Sequence, residues 1–206
     1  MANRTIEFFE AEFLRRRGAP EPLSSFQEAA LPQLSGRVLD LACGLGTLTL
    51  AAARRGCEVV AVDSSPTAIA HLSAAARAER LPVTAVQSDL ERYELPGTFD
   101  AVVAIGILMF FRREVAQRLL ARIQEAVRPG GCAAITVLVD GTTFMRPFDP
   151  ERHYLFAPGE IARAFGAWEL LVRQAGEAAA PDGTVRRFET VVARKPDRAF
   201  DAGTHR

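Results

Sequence analysis

Val38-Leu-Asp-Leu-Ala-Cys-Gly-Leu-Gly-Thr47 decides how this chain reads. An apolar run delivers Asp40, breaks at Gly44 and Gly46, and passes at once into an alanine- and leucine-rich stretch over 47–55. That succession predicts a buried strand, a tight turn and a helix. Glycines in such a turn let the backbone approach a ligand closely and take conformations closed to other residues. The helix start adds unpaired N–H groups and a partial positive charge, suited to an anionic ligand group.

The same alternation runs outward in both directions. Upstream, residues 6–17 and 25–34 predict two amphipathic helices, the second opened by Ser25-Phe-Gln-Glu28, a capping-box pattern. Downstream, 58–62, 83–87, 99–105 and 133–139 are short apolar, mostly β-branched runs that predict strands. Helices are expected over 66–80, capped by Ser65 with Pro66 at the first position, and over 113–127, stopped by Pro129-Gly-Gly131. Strands alternating with helices define a parallel α/β sheet. The last third differs: 141–157 is loop-like, 159–165 a short helix, and 168–174 and 185–194 two strands around Asp182-Gly183. Strands joined so closely are antiparallel, so the sheet should end in a hairpin. The chain divides into a helical cap over the substrate side (1–35), a ligand-binding domain (36–195) and a polar, frayed tail (196–206).

Composition narrows the class. With 25 basic and 25 acidic residues the net charge is zero, which gives no basic footprint for nucleic acid. Three cysteines, Cys43, Cys57 and Cys132, form neither a disulfide framework nor a zinc pattern, so no metal is expected. No stretch reaches the roughly 20 apolar residues of a membrane span, and the acidic N-terminus is not a secretory leader. The expectation is a reduced, cytoplasmic enzyme, monomer or homodimer, with neither nucleic acid nor membrane as partner.

The ends of the next strands say which ligand. Asp63 closes the second strand, nineteen residues after Gly44, where an acid can accept both hydroxyls of a ribose. Asp89, in Val-Gln-Ser-Asp-Leu90, follows the third strand and is placed to accept from an adenine amino group. Phe99-Asp-Ala-Val-Val-Ala-Ile-Gly106 ends at the same sheet edge, where open α/β sheets bind ligands. A dinucleotide fingerprint needs a third glycine where Thr49 stands. Asp40 would repel a pyrophosphate yet suits the ammonium of an amino-acid moiety. These residues favour S-adenosyl-L-methionine over NAD.

VLDLACGLG, VVAVDSSPTAI, SDL, FDAVVA and VRPGGCAAITVL resemble the ordered motifs of the class I SAM-dependent methyltransferases. The resemblance implies a doubly wound, seven-stranded, Rossmann-like α/β sheet, mostly parallel with an antiparallel C-terminal hairpin strand. It implies that Asp40, Gly44 and Gly46 hold the methionine end, Asp63 the ribose, and that Ser64 and Asp89 flank the adenine. Ala42, Ser88, Leu90 and Ile105 are expected at the cofactor as well. Ile107-Leu-Met-Phe-Phe111, Tyr154-Leu-Phe-Ala-Pro-Gly-Glu160 and Arg187-Phe-Glu-Thr-Val-Val-Ala-Arg-Lys195 are similar to the tellurite-resistance methyltransferases. Members of that family methylate oxyanions of tellurium and selenium and place His and Arg near the substrate. Here Gly176-Glu-Ala-Ala-Ala-Pro181 offers no such pair.

The expected activity is therefore methyl transfer to a small-molecule acceptor, a chalcogen oxyanion or a thiol-like nucleophile. Displacement at a sulfonium needs positioning above all, an effect worth up to roughly 7–11 kcal/mol. The acceptor side is expected from the N-terminal helices, Leu108, Met109 and Phe110, and the 141–158 segment. His153, Tyr154, Arg146 and Arg187 are the candidates for catalysis by residue type. The rivals are an NAD-dependent oxidoreductase and a SAM-binding module without catalysis.

Overall fold

The computed structural model describes residues 3–18, 21–180 and 182–197. Helix α1 (Arg4–Arg16) and short helix α2 (Ser25–Ala30) precede the sheet. The core then alternates β1 (Arg37–Leu41), α3 (Thr47–Arg54), β2 (Glu58–Asp63), α4 (Pro66–Glu79), β3 (Val83–Gln87) and β4 (Phe99–Ile105). It continues through α5 (Arg113–Ala126), β5 (Val127–Leu138), α6 (Glu160–Ala164), β6 (Glu169–Ala179) and β7 (Val185–Arg194).

The seven strands lie in the order β3-β2-β1-β4-β5-β7-β6. All neighbouring pairs from β3 to β5 are parallel, and β7 enters antiparallel between β5 and β6. The order reverses between β1 and β4, and there the strand ends open a crevice. Alternate residues of each central strand feed opposite faces. Leu39, Leu41, Val60, Val62, Val102 and Ile135 pack with Leu119 and Ile123 of α5 on one side. Val38, Val59, Ala61, Val103 and Ala134 pack with Leu48 of α3 and Leu72 of α4 on the other. Cover on both faces explains why these strands read as continuous apolar runs.

Three expectations are corrected. The capping box of α2 is one residue earlier: Ser24 Oγ accepts from Gln27 N–H while Gln27 Oε1 accepts from Ser24 N–H. Pro129-Gly-Gly131 is not a gap between α5 and the fifth strand, because β5 starts at Val127 directly after the helix. The ladder jumps from Phe99↔Val127 to Ala101↔Cys132, so 128–131 bulge outward, the place in a sheet where Pro and Gly are tolerated. A Cβ on Gly131 would lie 2.6 Å from the Asp100 carbonyl oxygen, so the close strand approach requires glycine. Strand β6 also outruns its expected end at 174, held to Ala179 by pairing with β7. Of the expected tail, 198–206 lies outside the described residues.

Candidate active site

A cavity of about 350 Å³ opens where the strand order reverses. Its floor comes from the ends of four strands: Ala42 to Leu45 after β1, Asp63 and Ser64 after β2, Asp89 and Leu90 after β3, and Ile105 to Ile107 after β4. Its roof is α1 with the segment behind it, through Asn3, Thr5, Ile6, Phe9, Phe13, Arg16, Glu21 and Gln27. Phe110 and Phe111 close the side.

The turn after β1 is held in a rare backbone form. Ala42, Gly44 and Gly46 all have positive φ, at 59°, 55° and 85°. For a non-glycine residue such as Ala42 this costs roughly 1–2 kcal/mol, and such positions cluster at functional sites. Phe13 of α1 lies against Gly44, where an added Cβ would meet its ring at 3.3 Å. Gly46 caps α3, and a Cβ there would lie 2.5 Å from Leu72 Cδ1.

Asp63 is the hub of this floor. One carboxylate oxygen accepts from Gly44 N–H at 2.9 Å and the other from Ser65 N–H at 2.9 Å. It is 7% exposed. Burial raises its pKa against the pull of those N–H donors. Both oxygens keep a free lone pair for a ligand hydroxyl. Glu10 of α1 accepts from the hydroxyls of Ser65 and Thr67 at the start of α4, which fixes the roof to the floor. Burial works to raise the Glu10 pKa, but these bonds leave it below the ordinary glutamate value.

Of the residues expected at the cofactor, Ala42, Gly44, Asp63, Ser64, Asp89, Leu90 and Ile105 lie on the cavity wall. Asp40, Gly46 and Ser88 do not. Asp40 sits behind the turn, 5% exposed, accepting from Thr49 Oγ1 at 2.6 Å. Burial pushes its pKa to about 6, opposed by the Thr49 bond and assisted by the charge of Asp63. Ser88 is half-buried and donates its N–H to the Asp63 carbonyl.

The four catalytic candidates stand elsewhere. His153 contacts the Asp149 carbonyl and the Phe148 ring, and Tyr154 donates to Glu160. Arg146 lies over the Phe8 ring, and Arg187 pairs with Glu177. None of them lines the cavity. Nor do Leu108 and Met109, which are buried in the core, or any residue of 141–158. The wall residues that sequence reasoning missed, Ile6, Phe9 and Phe13, follow a helical i, i+3, i+7 spacing on α1. That signal marks an apolar face without saying what it covers. Among the described residues no cluster of three or more His, Cys, Asp or Glu could hold a metal. No helix there is long and apolar enough to cross a membrane.

Residues 38–131 match the model of a family described as a methyltransferase domain. Over 167 residues the chain is 28% identical to the probable S-adenosyl-L-methionine-dependent methyltransferase TehB of Haemophilus influenzae, covering 77% of this chain and 57% of that protein. Over 190 residues it is 29% identical to hemagglutinin 1 of Eikenella corrodens, covering 89% of this chain and 63% of that one. It thus spans about three fifths of the length of these curated relatives. The crystal structure of TehB from Haemophilus influenzae superposes with a TM-score of 0.73 at 23% identity, over 91% of this chain and 67% of that one. The fold is that of the class I methyltransferases, and the chain is similar in its central segment to methyltransferase domains and over most of its length to a probable S-adenosyl-L-methionine-dependent methyltransferase. Within that class the chain is similar to the TehB-like proteins.

Proposed function

We propose that the chain binds S-adenosyl-L-methionine across the strand ends and transfers its methyl group to a small-molecule acceptor held under α1. The observation that carries this is the convergence of Gly44, Asp63 and Asp89, from three separate strands, on one cavity. Asp63 would accept the ribose hydroxyls, with Ser64, Asp89 and Leu90 at the adenine and the Ala42–Gly44 backbone along the methionine end. Asp40 would act from behind the turn, its negative charge drawing the ammonium of the amino-acid moiety. Gly46 would serve by shaping the turn. When bound, the cofactor supplies an electrophilic methyl group on a sulfonium. The chain's own contribution is to hold the acceptor in line and exclude water, which the α1 roof is built to do. Residues 1–35 are in this reading a cap that belongs to the site, and the setting is the reducing cytoplasm, in keeping with three free cysteines.

Calorimetric titration with S-adenosylhomocysteine, with NADH in parallel, tests the reading. Micromolar binding of the former and none of the latter is expected. Asp63→Ala should weaken it about a hundredfold or more, since two hydrogen bonds to a charged group are lost at about 1.5–3 kcal/mol each. Circular dichroism checks that the variant keeps its fold. Failure of the parent protein to bind S-adenosylhomocysteine, or binding of NADH in its place, would overturn the proposal.

A further inference from the structure

Strand β6 is the last strand of the sheet, and its outer edge is bare. Among the described residues, the backbone of 169–179 bonds to β7 and to nothing else. Every residue from Arg173 to Ala179 is exposed, so this half of the strand is open on both faces as well. A row of free N–H and C=O groups is a template for another strand, which proteins usually blunt with proline, lysine or a short edge. Strand β6 carries none of these guards: it runs eleven residues, ELLVRQAGEAA, without proline or lysine. Arg173, Ala175 and Glu177 alternate onto one face. There Glu177 pairs with Arg187 at 3.3 Å, and Arg173 lies 3.9 Å from Glu189 of β7. The Arg173 and Glu177 side chains remain 61% and 63% exposed, so each has room for a second partner.

We propose that β6 is a self-pairing edge, joining two copies of this chain antiparallel about a two-fold axis at Ala175. The charges choose the register. A two-fold axis through a strand puts one residue opposite its own copy and makes every other contact reciprocal. An axis at Arg173 would set arginine against arginine and Glu169 against Glu177. An axis at Gln174 or Gly176 brings no opposite charges face to face. At Ala175, Arg173 faces the partner's Glu177, and symmetry repeats the pair. The existing pairs on each side then extend into one row across the seam, Glu189 and Arg173 from one copy meeting Glu177 and Arg187 from the other with alternating sign. In the same register Gln174 faces Gly176 and Val172 faces Ala178, a larger residue against a small one each time. The bulge between Leu170 and Val172 ends the ladder, so the paired run covers 172–178.

Charges of one sign on an edge repel a second strand, but two signs four residues apart exclude the wrong registers and favour one. The seam is smaller than a standard interface of roughly 1,600 Å², so the dimer is expected at a Kd of roughly 10–100 µM and should weaken with salt. It leaves both crevices open, because β6 stands three places beyond β4 in the strand order.

Sedimentation velocity of the full chain over roughly 1–500 µM tests the pairing, a range that brackets the expected Kd. Arg173→Glu sets two glutamates face to face on each side of the axis and should raise the Kd about tenfold or more. Adding Glu177→Arg to that variant should restore dimerisation, with circular dichroism confirming the fold of both. The register has its own readout. Ala175→Cys lies opposite its own copy, with Cβ atoms about 4.5–5.5 Å apart, so diamide should take up the two thiol hydrogens and leave a disulfide joining the chains. Ala179→Cys, exposed on the same strand but opposite Leu171, should not cross-link, nor should the parent chain. A monomer at every concentration, a dimer indifferent to Arg173→Glu, no recovery in the charge-swapped variant, or equal cross-linking at 175 and 179 would each overturn the proposal.

Discussion

Asp40→Asn should make the stability of this protein less sensitive to pH. Asp40 is buried behind the glycine turn, and burial lifts its pKa from 3.8 to about 6 in the folded chain. A raised acid pKa means that the native state holds a proton more tightly than the unfolded one, so stability is lost as pH rises from about 3.8 toward and through 6. The interval of about two units, at 1.36 kcal/mol each, amounts to about 3 kcal/mol once pH exceeds 7. Roughly half of it, about 1.4 kcal/mol, accumulates between pH 5 and 7.5. The asparagine is neutral throughout, so the difference in Tm between variant and parent should move in the variant's favour by about 3–6 °C over that interval, at 2–4 °C per kcal/mol for a chain of this size. The absolute effect at one pH also contains the cost of placing a buried amide, and comparing two pH values cancels it. Differential scanning calorimetry at pH 5.0 and 7.5, without ligand, makes the measurement. A difference in Tm that stays constant across that range would refute the assignment of a perturbed, ionisable Asp40.

Gly46→Ala forces a side chain into positive φ and against buried Leu72. About 1–2 kcal/mol for the backbone and 1–3 for overpacking should lower Tm by roughly 5–15 °C in a thermal melt. Glu10→Ala removes the carboxylate that ties α1 to Ser65 and Thr67; hydrogen exchange across α1 should quicken while the central strands stay protected. Burial raises the pKa of all three cysteine thiols. At pH 8 they should therefore react slowly with a disulfide reagent in the native protein and rapidly in denaturant, as a colorimetric thiol assay would show.

What the sequence disclosed follows the range of the forces involved. β3 and β4 were legible to the residue, because short apolar runs between turn residues carry their own boundaries. The floor of the cavity was legible for the same reason: Gly44, Asp63 and Asp89 are tied to strand ends, and a parallel sheet brings strand ends to one edge. Pro129-Gly-Gly131 was misread because a local stop signal and a bulge forced by a neighbouring strand have the same composition. The N-terminal helices were expected on the acceptor side, but Phe9 and Phe13 were not singled out, since which positions of an apolar helix face meet the cavity is settled by packing across the whole domain. The catalytic candidates were selected by side-chain chemistry alone. Tyr154 and Arg187 found partners in Glu160 and Glu177 that no local pattern announces.

The double grip of Asp63 bears on what happens before any ligand arrives. Its two oxygens tether the loop after β1 and the loop after β2 to each other through Gly44 and Ser65. The entropy of ordering those loops is thus given up when the chain folds. A ligand entering the cavity meets a seat already set, so binding should be fast, weakly dependent on temperature through loop ordering, and accompanied by little backbone change on the floor. The roof is joined to that seat at a separate point, through Glu10 on Ser65 and Thr67, so floor and roof are preset by different side chains.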